Sequence, residues 1–216
     1  MFKARYLPLL LLALIFIMSI FVYRVLPDRV PMHMNWKGEI DRYGSKAEGA
    51  FFFPVVILIV HLIMSLVFRA YINSIDADAR SVAADRLGIF KSLLILLFAA
   101  MYADFVMVAL GRPSSMYEFL GIPVALLFYY TGVLMKDTPR NGIMGVRTKW
   151  SMADDEVWVK THHMASTVYR VSALFPLLSL AWPNLFWLWL AVPLILAPTV
   201  MIFASRRYYM ELVGRK

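Results

Sequence analysis

The chain has 216 residues, of which 61% are hydrophobic and only 17% are charged, with a formal net charge of +8. Since about 25% of the residues of a soluble domain are charged, this composition excludes an ordinary soluble protein. The absence of cysteine also excludes disulfide bonds, thiolate metal sites and cysteine nucleophiles.

Long runs without charge predict the membrane spans. A helix needs roughly 20 apolar residues to cross a bilayer, within a range of about 17–25. Four runs fit one span each, although Asp104 interrupts the third, and a fifth run is too long for one helix and slightly short for two. The runs cover residues 6–23, 51–68, 92–111, 119–135 and 171–205.

A turn signal divides the last run at Trp182-Pro183-Asn184, because proline lacks the N–H group and asparagine tolerates turn geometry. A sixth helix is therefore predicted from Leu185 to Ser205. The fifth helix then begins near His162 or His163 and carries Arg170 inside or just under the bilayer. The predicted fold class is an all-α, polytopic transmembrane helical bundle of about six helices, with five as the alternative.

The placement of Lys and Arg predicts the orientation. Six helices put both termini on one side, and sixteen of the 22 Lys and Arg residues fall on that side. Because cytoplasmic loops are enriched in these residues, the N- and C-termini are predicted to be cytoplasmic, in a multi-pass protein of the cell membrane. The net charge indicates contact with anionic membrane lipid and not direct binding of nucleic acid.

Four segments follow from these spans. Residues 1–70 form a helix pair with an extracytoplasmic loop at 26–49. Mixed charges predict a short amphipathic helix at 71–87, within a cytoplasmic connector. The remaining segments are the connector itself, the third and fourth helices, and a C-terminal region whose cytoplasmic loop covers 136–161 before the last two helices; they span residues 71–91, 92–135 and 136–216.

The outer segment is rich in turn-forming residues, with Pro27, Pro31, Gly38 and Gly44, which together exclude a continuous helix. His33 lies among Asp28, Glu39 and Asp41, but a divalent metal needs three or four convergent ligands. The favoured interpretation is a compact loop in which His33 and Asp41 bond to neighbouring backbone groups. A metal site and a ligand-contact site facing out of the cell stay open as alternatives.

The inner segment carries the denser set of polar features. Gly142 and Gly145 permit unusual backbone conformations, and Arg147 offers, like Arg140, a planar fork for carboxylate or phosphate. Arg147 has two simpler roles, which are contact with lipid phosphate and capping of a helix C-terminus. Trp150 and Trp158 are interpreted as anchors at the lipid headgroups rather than as a ligand cage.

A helix is predicted to start near Met152, since Ser151 fits an N-cap followed by Asp154 three residues on. Lys160, His163, Thr167 and Arg170 recur at helical spacing and predict one polar face. That face should turn inward, because arginine facing lipid is costly. His162 and His163 have a simpler interpretation as membrane-interface residues.

Three ionisable groups are predicted at or near membrane depth, namely His61, Asp104 and Arg170, and such groups are candidates for function by default. At about 1.5 Å rise per residue, His61 and Asp104 fall at similar depth and could pair if their helices are neighbours. A buried structural pair is the favoured interpretation. A proton or ligand relay is the alternative, which would fit a transporter or channel that uses His61, Asp104 and Arg170.

Two groups of residues resemble known families. The outer group resembles a bacterial domain of unknown function that follows a first transmembrane helix, and it comprises Leu26-Pro27, Pro31, His33, Gly38, Asp41, Tyr43-Gly44 and Lys46. The inner group resembles the signature of the SdpI family, and it comprises Pro139, Asn141, Gly145, Arg147-Thr148, Trp150-Ser151, Trp158, Thr161 and His162. Both occur in this order in that family, so the resemblance covers most of the chain.

The resemblance implies a bacterial membrane protein that protects the cell from a secreted antimicrobial peptide toxin. It also implies a receptor that holds a small transcriptional repressor at the membrane. By carry-over, the peptide would meet Pro31, His33, Gly38 and Asp41. A cytoplasmic regulatory or coupling platform would comprise Asn141, Gly145, Arg147, Trp150, Trp158 and His162.

Neither catalysis nor a cofactor is expected. The chain has no Ser-His-Asp set, zinc-protease helix, phosphate-binding loop or glycine-rich dinucleotide motif. The remaining enzymatic alternative is intramembrane chemistry in which His33 or His162 acts with a metal.

Overall fold

A computed structural model describes residues 3–35, 40–113 and 116–215. Six helices of 18 residues or more dominate these ranges, which confirms the all-α bundle, and one small β-hairpin is added to it. The hairpin covers part of the segment for which only a loop was predicted. The elements in chain order are α1 (Leu7–Val25), β1 (Arg29–Met34), β2 (Ile40–Ser45), α2 (Lys46–Asn73), α3 (Ala77–Ala109), α4 (Met116–Lys136), α5 (Asp155–Ser172), α6 (Leu174–Leu178) and α7 (Phe186–Val213).

Four helices in the described ranges are long and apolar enough to cross a membrane, and they lie within Ala4–Val25, Lys46–Asn73, Ala77–Ala109 and Pro183–Val213. A shorter apolar helix spans Leu120–Lys136. Large apolar side chains such as Leu66 and Phe203 are 70% and 65% exposed. An apolar surface of this kind is stable in lipid rather than in water, so the chain is a membrane protein.

Neighbouring helices pack through small apolar clusters. Leu12, Ile57 and Ile95 join α1 to α2 and α3, while Ala165 and Met201 join α5 to α7. α4 packs between α3 and α5. The approach of α4 to α5 is close, because a Cβ atom added at Gly132 would lie 2.6 Å from the carbonyl oxygen of Ser166. Small residues permit such backbone contact between membrane helices.

The connector helix predicted at 71–87 is not a separate element. α2 continues to Asn73, and the mixed-charge residues form the first turns of α3. They pack against the start of the chain, where the Arg5 Nε atom lies 2.9 Å from Asp85 Oδ1 and Arg5 Nη2 donates to Ser81 Oγ at 3.0 Å. The predicted pairing within the segment is therefore replaced by contacts with other elements.

Two predicted helix boundaries are also wrong. α5 starts at Asp155, near the start at Met152 predicted from the capping pattern and well before His162, where the apolar run placed it, because its first turns are polar. α7 continues past Ser205 to Val213, since residues beyond the apolar run keep helical hydrogen bonding. The predicted turn is confirmed, with a short 3-10 helix at Pro183–Leu185 before α7.

The hairpin at the far end of α1 and α2 is antiparallel, with Arg29 opposite Ser45 and Pro31 opposite Tyr43. Its inner strand is anchored by Val30, which is fully buried against Gly49 at the start of α2. Ser45 caps α2 by accepting a hydrogen bond from the Glu48 backbone N–H. Gly38, which belongs to the predicted outer site, and Glu39, which was considered as a metal ligand, lie outside the described residues.

Candidate functional site

The loop between α4 and α5, residues 137–154, folds over the first turns of α5. Trp158 and His162 of α5 lie beneath the loop and are 1% and 0% exposed. Their rings stack with centroids 3.9 Å apart and planes 22° from parallel. Trp158 Nε1 donates to the carbonyl oxygen of Thr138 at 2.8 Å. The interpretation of Trp158 as a headgroup anchor is therefore wrong, because its indole ring is the buried floor of this loop.

His162 ties the loop to α5 through both ring nitrogens. Nε2 accepts a hydrogen bond from the Val146 backbone N–H at 3.0 Å, so Nε2 carries no proton. Nδ1 lies 2.9 Å from the carbonyl oxygen of Trp158 and must donate to it. His162 is therefore a neutral imidazole with its proton on Nδ1, and protonation of Nε2 would break the contact with the loop.

Acid should destabilise this loop. His162 lies on α5, which is not among the four described helices that are long and apolar enough to cross a membrane. Burial lowers the pKa of His162 from 6.5, the Trp158 backbone hydrogen bond opposes that change, and nearby His163 reinforces it. A lowered pKa in the folded state favours the neutral form, so stability is highest above about pH 6.5 and falls as the pH drops through the folded pKa. Unfolding temperatures of the purified protein between pH 7.5 and 5 should show this decrease, and the decrease should be smaller in a His162→Gln variant.

Gly145 makes the close approach of the loop possible. Its φ angle is +111°, in a region that side-chain-bearing residues rarely adopt. A Cβ atom at this position would collide with His162 Nε2 and would lie 3.1 Å from Trp158 Cη2. The glycine is therefore required both by the backbone conformation and by the space above the stacked rings.

Asn141 holds the first half of the loop with four hydrogen bonds. Its Oδ1 atom accepts from the backbone N–H groups of Ile143 and Met144 at 2.8 and 2.7 Å. Its Nδ2 atom donates to the carbonyl oxygens of Pro139 and Met144 at 2.8 and 3.0 Å. Only an amide side chain supplies both donors and acceptors in this geometry.

Ser151 was predicted to cap α5, but Asp154 caps it instead by accepting from the Glu156 backbone N–H at 2.8 Å. Ser151 is fully buried, and its hydroxyl donates to the carbonyl oxygen of Val146 at 2.5 Å. The neighbouring Thr148 hydroxyl donates to Ser205 Oγ on α7 at 2.9 Å. The second half of the loop is thus hydrogen-bonded to the last helix.

The energy of the hydrogen bond between Thr148 and Ser205 can be measured with a double-mutant cycle. We expect Thr148→Val and Ser205→Ala each to lower the free energy of unfolding by about 1 kcal/mol. The double variant should lose less than the sum of the two single variants, because both remove the same hydrogen bond. Unfolding titrations in detergent would give the coupling energy. Strict additivity would show that the hydroxyl contact contributes no stability.

The other predicted loop residues lie on the surface. Arg147 is exposed and makes no ion pair with any described residue, while half-buried Trp150 lies under Lys149, whose Nζ atom is 5.0 Å from the ring centroid. Arg140 is used within the loop, because its Nε atom lies 2.8 Å from Asp155 Oδ1. Arg147 and Trp150 therefore remain available to contact something else.

The polar face predicted on α5 turns inward at Arg170, whose Nε atom is buried, but not at His163 and Thr167. His163 and Thr167 are exposed, whereas the buried face carries residues at the alternating helical positions, namely Val157, Trp158, Thr161, His162, Ala165 and Ser166. Arg170 is partly buried, with its guanidinium carbon 5.9 Å from the Tyr129 ring centroid. The helical periodicity was therefore predicted correctly, but the face that packs against the other helices is the one with the small and aromatic residues.

The expected pair of His61 and Asp104 is not formed. Nε2 of His61 lies 3.4 Å from Ser65 Oγ, to which Lys91 Nζ donates at 3.1 Å, and Nδ1 has no partner among the described residues. Asp104 is buried on α3, 13 residues beyond Lys91, which is about 20 Å along the helix. The two groups therefore lie at different depths.

The outer hairpin brings two predicted residues together. His33 Nδ1 and Asp41 Oδ1 are 2.5 Å apart, and both side chains are largely exposed. The two side chains pair with each other, whereas the prediction had each bonded to neighbouring backbone groups. Pro31 lies on the same strand opposite Tyr43. The described residues contain no group of three His, Cys, Asp or Glu side chains that could hold a metal ion.

Sequence reasoning missed Thr138 and Ser205, which receive the Trp158 and Thr148 hydrogen bonds. Thr138 acts through its backbone carbonyl group, which leaves no mark on the residue type. Ser205 is a lone hydroxyl at the end of an apolar run, and a buried serine there must find a partner. The position of Ser205 could therefore have predicted a hydrogen bond between the end of this helix and another part of the chain.

Comparison with known proteins finds two matched regions. Residues 10–58, which contain most of α1, the hairpin and the start of α2, match a domain of unknown function, DUF1648. Residues 137–205, which contain the loop, α5, α6 and most of α7, match the SdpI/YfhL protein family. The chain is 27% identical over 216 residues to the Immunity protein SdpI of Bacillus subtilis (strain 168), covering 99% of this chain and 100% of that protein. No solved structure matches the chain significantly. These matches confirm the resemblance of the chain to the SdpI family.

Proposed function

We propose that this protein is a multi-pass immunity protein of the bacterial cytoplasmic membrane, which gives resistance to a secreted antimicrobial peptide toxin. The observation that carries the proposal is the end-to-end match to the Bacillus subtilis Immunity protein SdpI. The match is supported by the structure in that the two matched regions correspond to the two folded features outside the long helices, which are the hairpin and the loop over Trp158 and His162.

The two features lie at opposite ends of the bundle. The loop shares its end with both chain termini, since Asp137 pairs with Arg86 at 3.1 Å and Thr148 bonds to Ser205. The hairpin packs instead against Ala109 at the other end of α3. With both termini cytoplasmic, as the distribution of Lys and Arg favours, the hairpin faces out of the cell and the loop faces the cytoplasm.

The hairpin is the proposed contact surface for the toxin. It is fixed to the bundle through Val30 and Leu26, which are 0% and 2% exposed. This packing holds the hairpin in place while its outer side chains remain exposed. His33, Asp41 and Tyr43 are exposed there. A peptide bound at this surface would be held away from the lipid that it would otherwise disrupt.

Resistance can be tested in a susceptible bacterium that expresses the full chain. Growth inhibition by a panel of secreted membrane-active bacterial peptides should require higher concentrations of at least one peptide than in cells with an empty vector. The His33→Ala and Asp41→Asn variants should lose this protection, whereas His163→Ala, an exposed histidine at the other end, should keep it. Unchanged sensitivity to every peptide at normal expression of the protein would overturn the proposal.

A second role is proposed for the cytoplasmic loop, which would hold a small transcriptional repressor at the membrane. Exposed Arg147 and half-buried Trp150 are the side chains available for that contact, on a loop that is otherwise internally bonded. We expect Arg147→Gln to release the tagged repressor from the membrane fraction without loss of resistance. A repressor that stays soluble with the unaltered protein would contradict this role.

The proposed function involves no catalysis and no cofactor. Transport through His61, Asp104 and Arg170 would require these groups to line one path. His61 and Lys91 line a small cavity of about 10 Å³, and neither Asp104 nor Arg170 lines it. The arrangement therefore gives transport no support beyond the burial of the groups.

A further inference from the structure

The last helix carries a sharp change from apolar to cationic residues. α7 has no charged residue from Phe186 to Ser205, and Arg206 and Arg207 follow directly. Twenty residues of helix span about 30 Å, the thickness of the hydrocarbon core of a bilayer. Arg206 and Arg207 are therefore placed at the depth of lipid headgroups, whichever leaflet this end faces.

An open groove of about 710 Å³ runs along α7 beside α5 at this end. Its apolar part is lined by Val200, Phe203 and Ala204 of α7 and by Met164 of α5. Phe203 and Val200 are 65% and 41% exposed. These residues recur at three- and four-residue spacing, which places them on one face of the helix. The apolar part of the groove thus lies at the depth of lipid acyl chains.

The two arginines that line the other end of the groove differ in their partners. Arg207 Nε bonds to Glu211 at 2.8 Å, so its charge is partly neutralised within the helix. Arg206 is exposed and makes no ion pair with any described residue. A planar guanidinium group offers paired donors that match two oxygens of a phosphate. The groove therefore has an apolar wall and, at Arg206, a cation that pairs with no described residue, in the order in which a phospholipid presents its chain and its phosphate.

We infer that this groove binds one anionic phospholipid molecule, with an acyl chain against Val200 and Phe203 and the phosphate at Arg206. A lipid with a neutral, zwitterionic headgroup satisfies the apolar part but carries its own cation beside the phosphate. An anionic headgroup such as phosphatidylglycerol therefore gains more from Arg206. The apolar part of the groove lies at the depth of the acyl chains and Arg206 lies at the depth of the headgroups. A lipid matches this order, which favours it over an acidic protein segment or a second copy of this chain.

The inference is tested on the purified, delipidated full-length protein in detergent. Palmitoyl-oleoyl phosphatidylglycerol and the corresponding phosphatidylcholine are titrated separately, and bound lipids are counted by native mass spectrometry. We expect tighter binding of phosphatidylglycerol, and about a fivefold loss of that affinity in Arg206→Gln, the effect of one cation near a membrane surface. Ala204→Trp, which fills the apolar part, should weaken the binding of both lipids.

Arg215→Gln is the control, because it removes the same charge from a position outside the groove, where Arg215 lies 3.9 Å from Glu156. Its affinity for phosphatidylglycerol should equal that of the unaltered protein. Should Arg206→Gln lower the unfolding temperature, Arg206→Lys keeps the charge, loses the fork and should give an intermediate affinity. Equal losses in Arg206→Gln and Arg215→Gln, equal binding of the two lipids, or displacement of the lipid by inorganic phosphate would each overturn the inference. A dimer that forms in place of lipid binding and disappears in Ala204→Trp would assign the groove to a second copy instead.

Discussion

Replacing Gly145 with alanine should lower the free energy of unfolding by about 3 kcal/mol or more. The φ angle of +111° at this position strains any residue that has a Cβ atom. The new methyl group would also meet His162 Nε2 and the Trp158 ring, which cannot retreat because both rings are fully buried. We expect the loop to leave α5, with loss of the hydrogen bond between Val146 and His162. Unfolding titrations in detergent would give the change in stability.

Gly142 provides the matched control for this substitution. It lies three residues earlier in the same loop, and a Cβ atom built there has no heavy atom within 4 Å. Gly142→Ala should therefore change the stability by no more than about 0.5 kcal/mol. If the two alanine variants unfold alike, the position of Gly145 above the stacked rings does not contribute to stability in the way described.

The helices were predictable because the bilayer imposes a simple length requirement. Apolar runs in α1, α2, α3, α4 and α7, with Asp104 as the one interruption in α3, are long enough to satisfy it, so counting charges located them. α5 escaped this method, since Asp155 and Glu156 open the helix and Lys160 follows one turn later. These residues are stable in a helix through the Asp154 cap and the ion pair between Lys160 and Glu156, which are local effects that a search for apolar runs ignores.

The hairpin was harder to predict than the helices. Pro31 and Gly44 signal turns in a sequence, but here both lie within paired strands, and the ladder accommodates two irregularities on either side of His33. Proline is tolerated in an edge strand, where its missing N–H group breaks no ladder bond. What fixes the strands is the burial of Val30 against α2, a long-range contact that turn-forming residues do not indicate.

In the loop over α5, the residues were identified more reliably than their roles. The resemblance named Asn141, Gly145, Trp158 and His162, and the structure places the first two in the loop and the last two directly beneath it. Trp158 was interpreted as a headgroup anchor because tryptophan is common at membrane interfaces. The choice between an anchor and a buried ring depends on whether a partner exists for Nε1. That partner is the Thr138 carbonyl oxygen, 20 residues away along the chain.

Replacing His162 with leucine should destabilise the protein by about 2–4 kcal/mol. Leucine has a similar volume but no polar atom, so the Val146 N–H group loses its acceptor, while the Trp158 carbonyl oxygen loses the Nδ1 contact and keeps only its hydrogen bond within α5. Each buried polar group that is left without a partner costs about 1–3 kcal/mol. The acid-dependent decrease in stability should also disappear, because no imidazole remains to be protonated at this position. Unfolding titrations at pH 7.5 and pH 5.5 would measure both effects.

His163→Leu separates these effects from the general loss of a histidine. His163 is the next residue of α5, but its side chain is exposed, so the same substitution should change the stability by less than about 0.5 kcal/mol. His162→Gln should recover part of the loss, since a glutamine amide oxygen can accept from the Val146 N–H group where Nε2 did. If His162→Leu and His163→Leu are equally stable, the imidazole does not hold the loop. If only His162→Leu is destabilised and His162→Gln restores the loop, then the acceptor at Nε2, rather than the charge or size of the ring, fixes the loop onto α5.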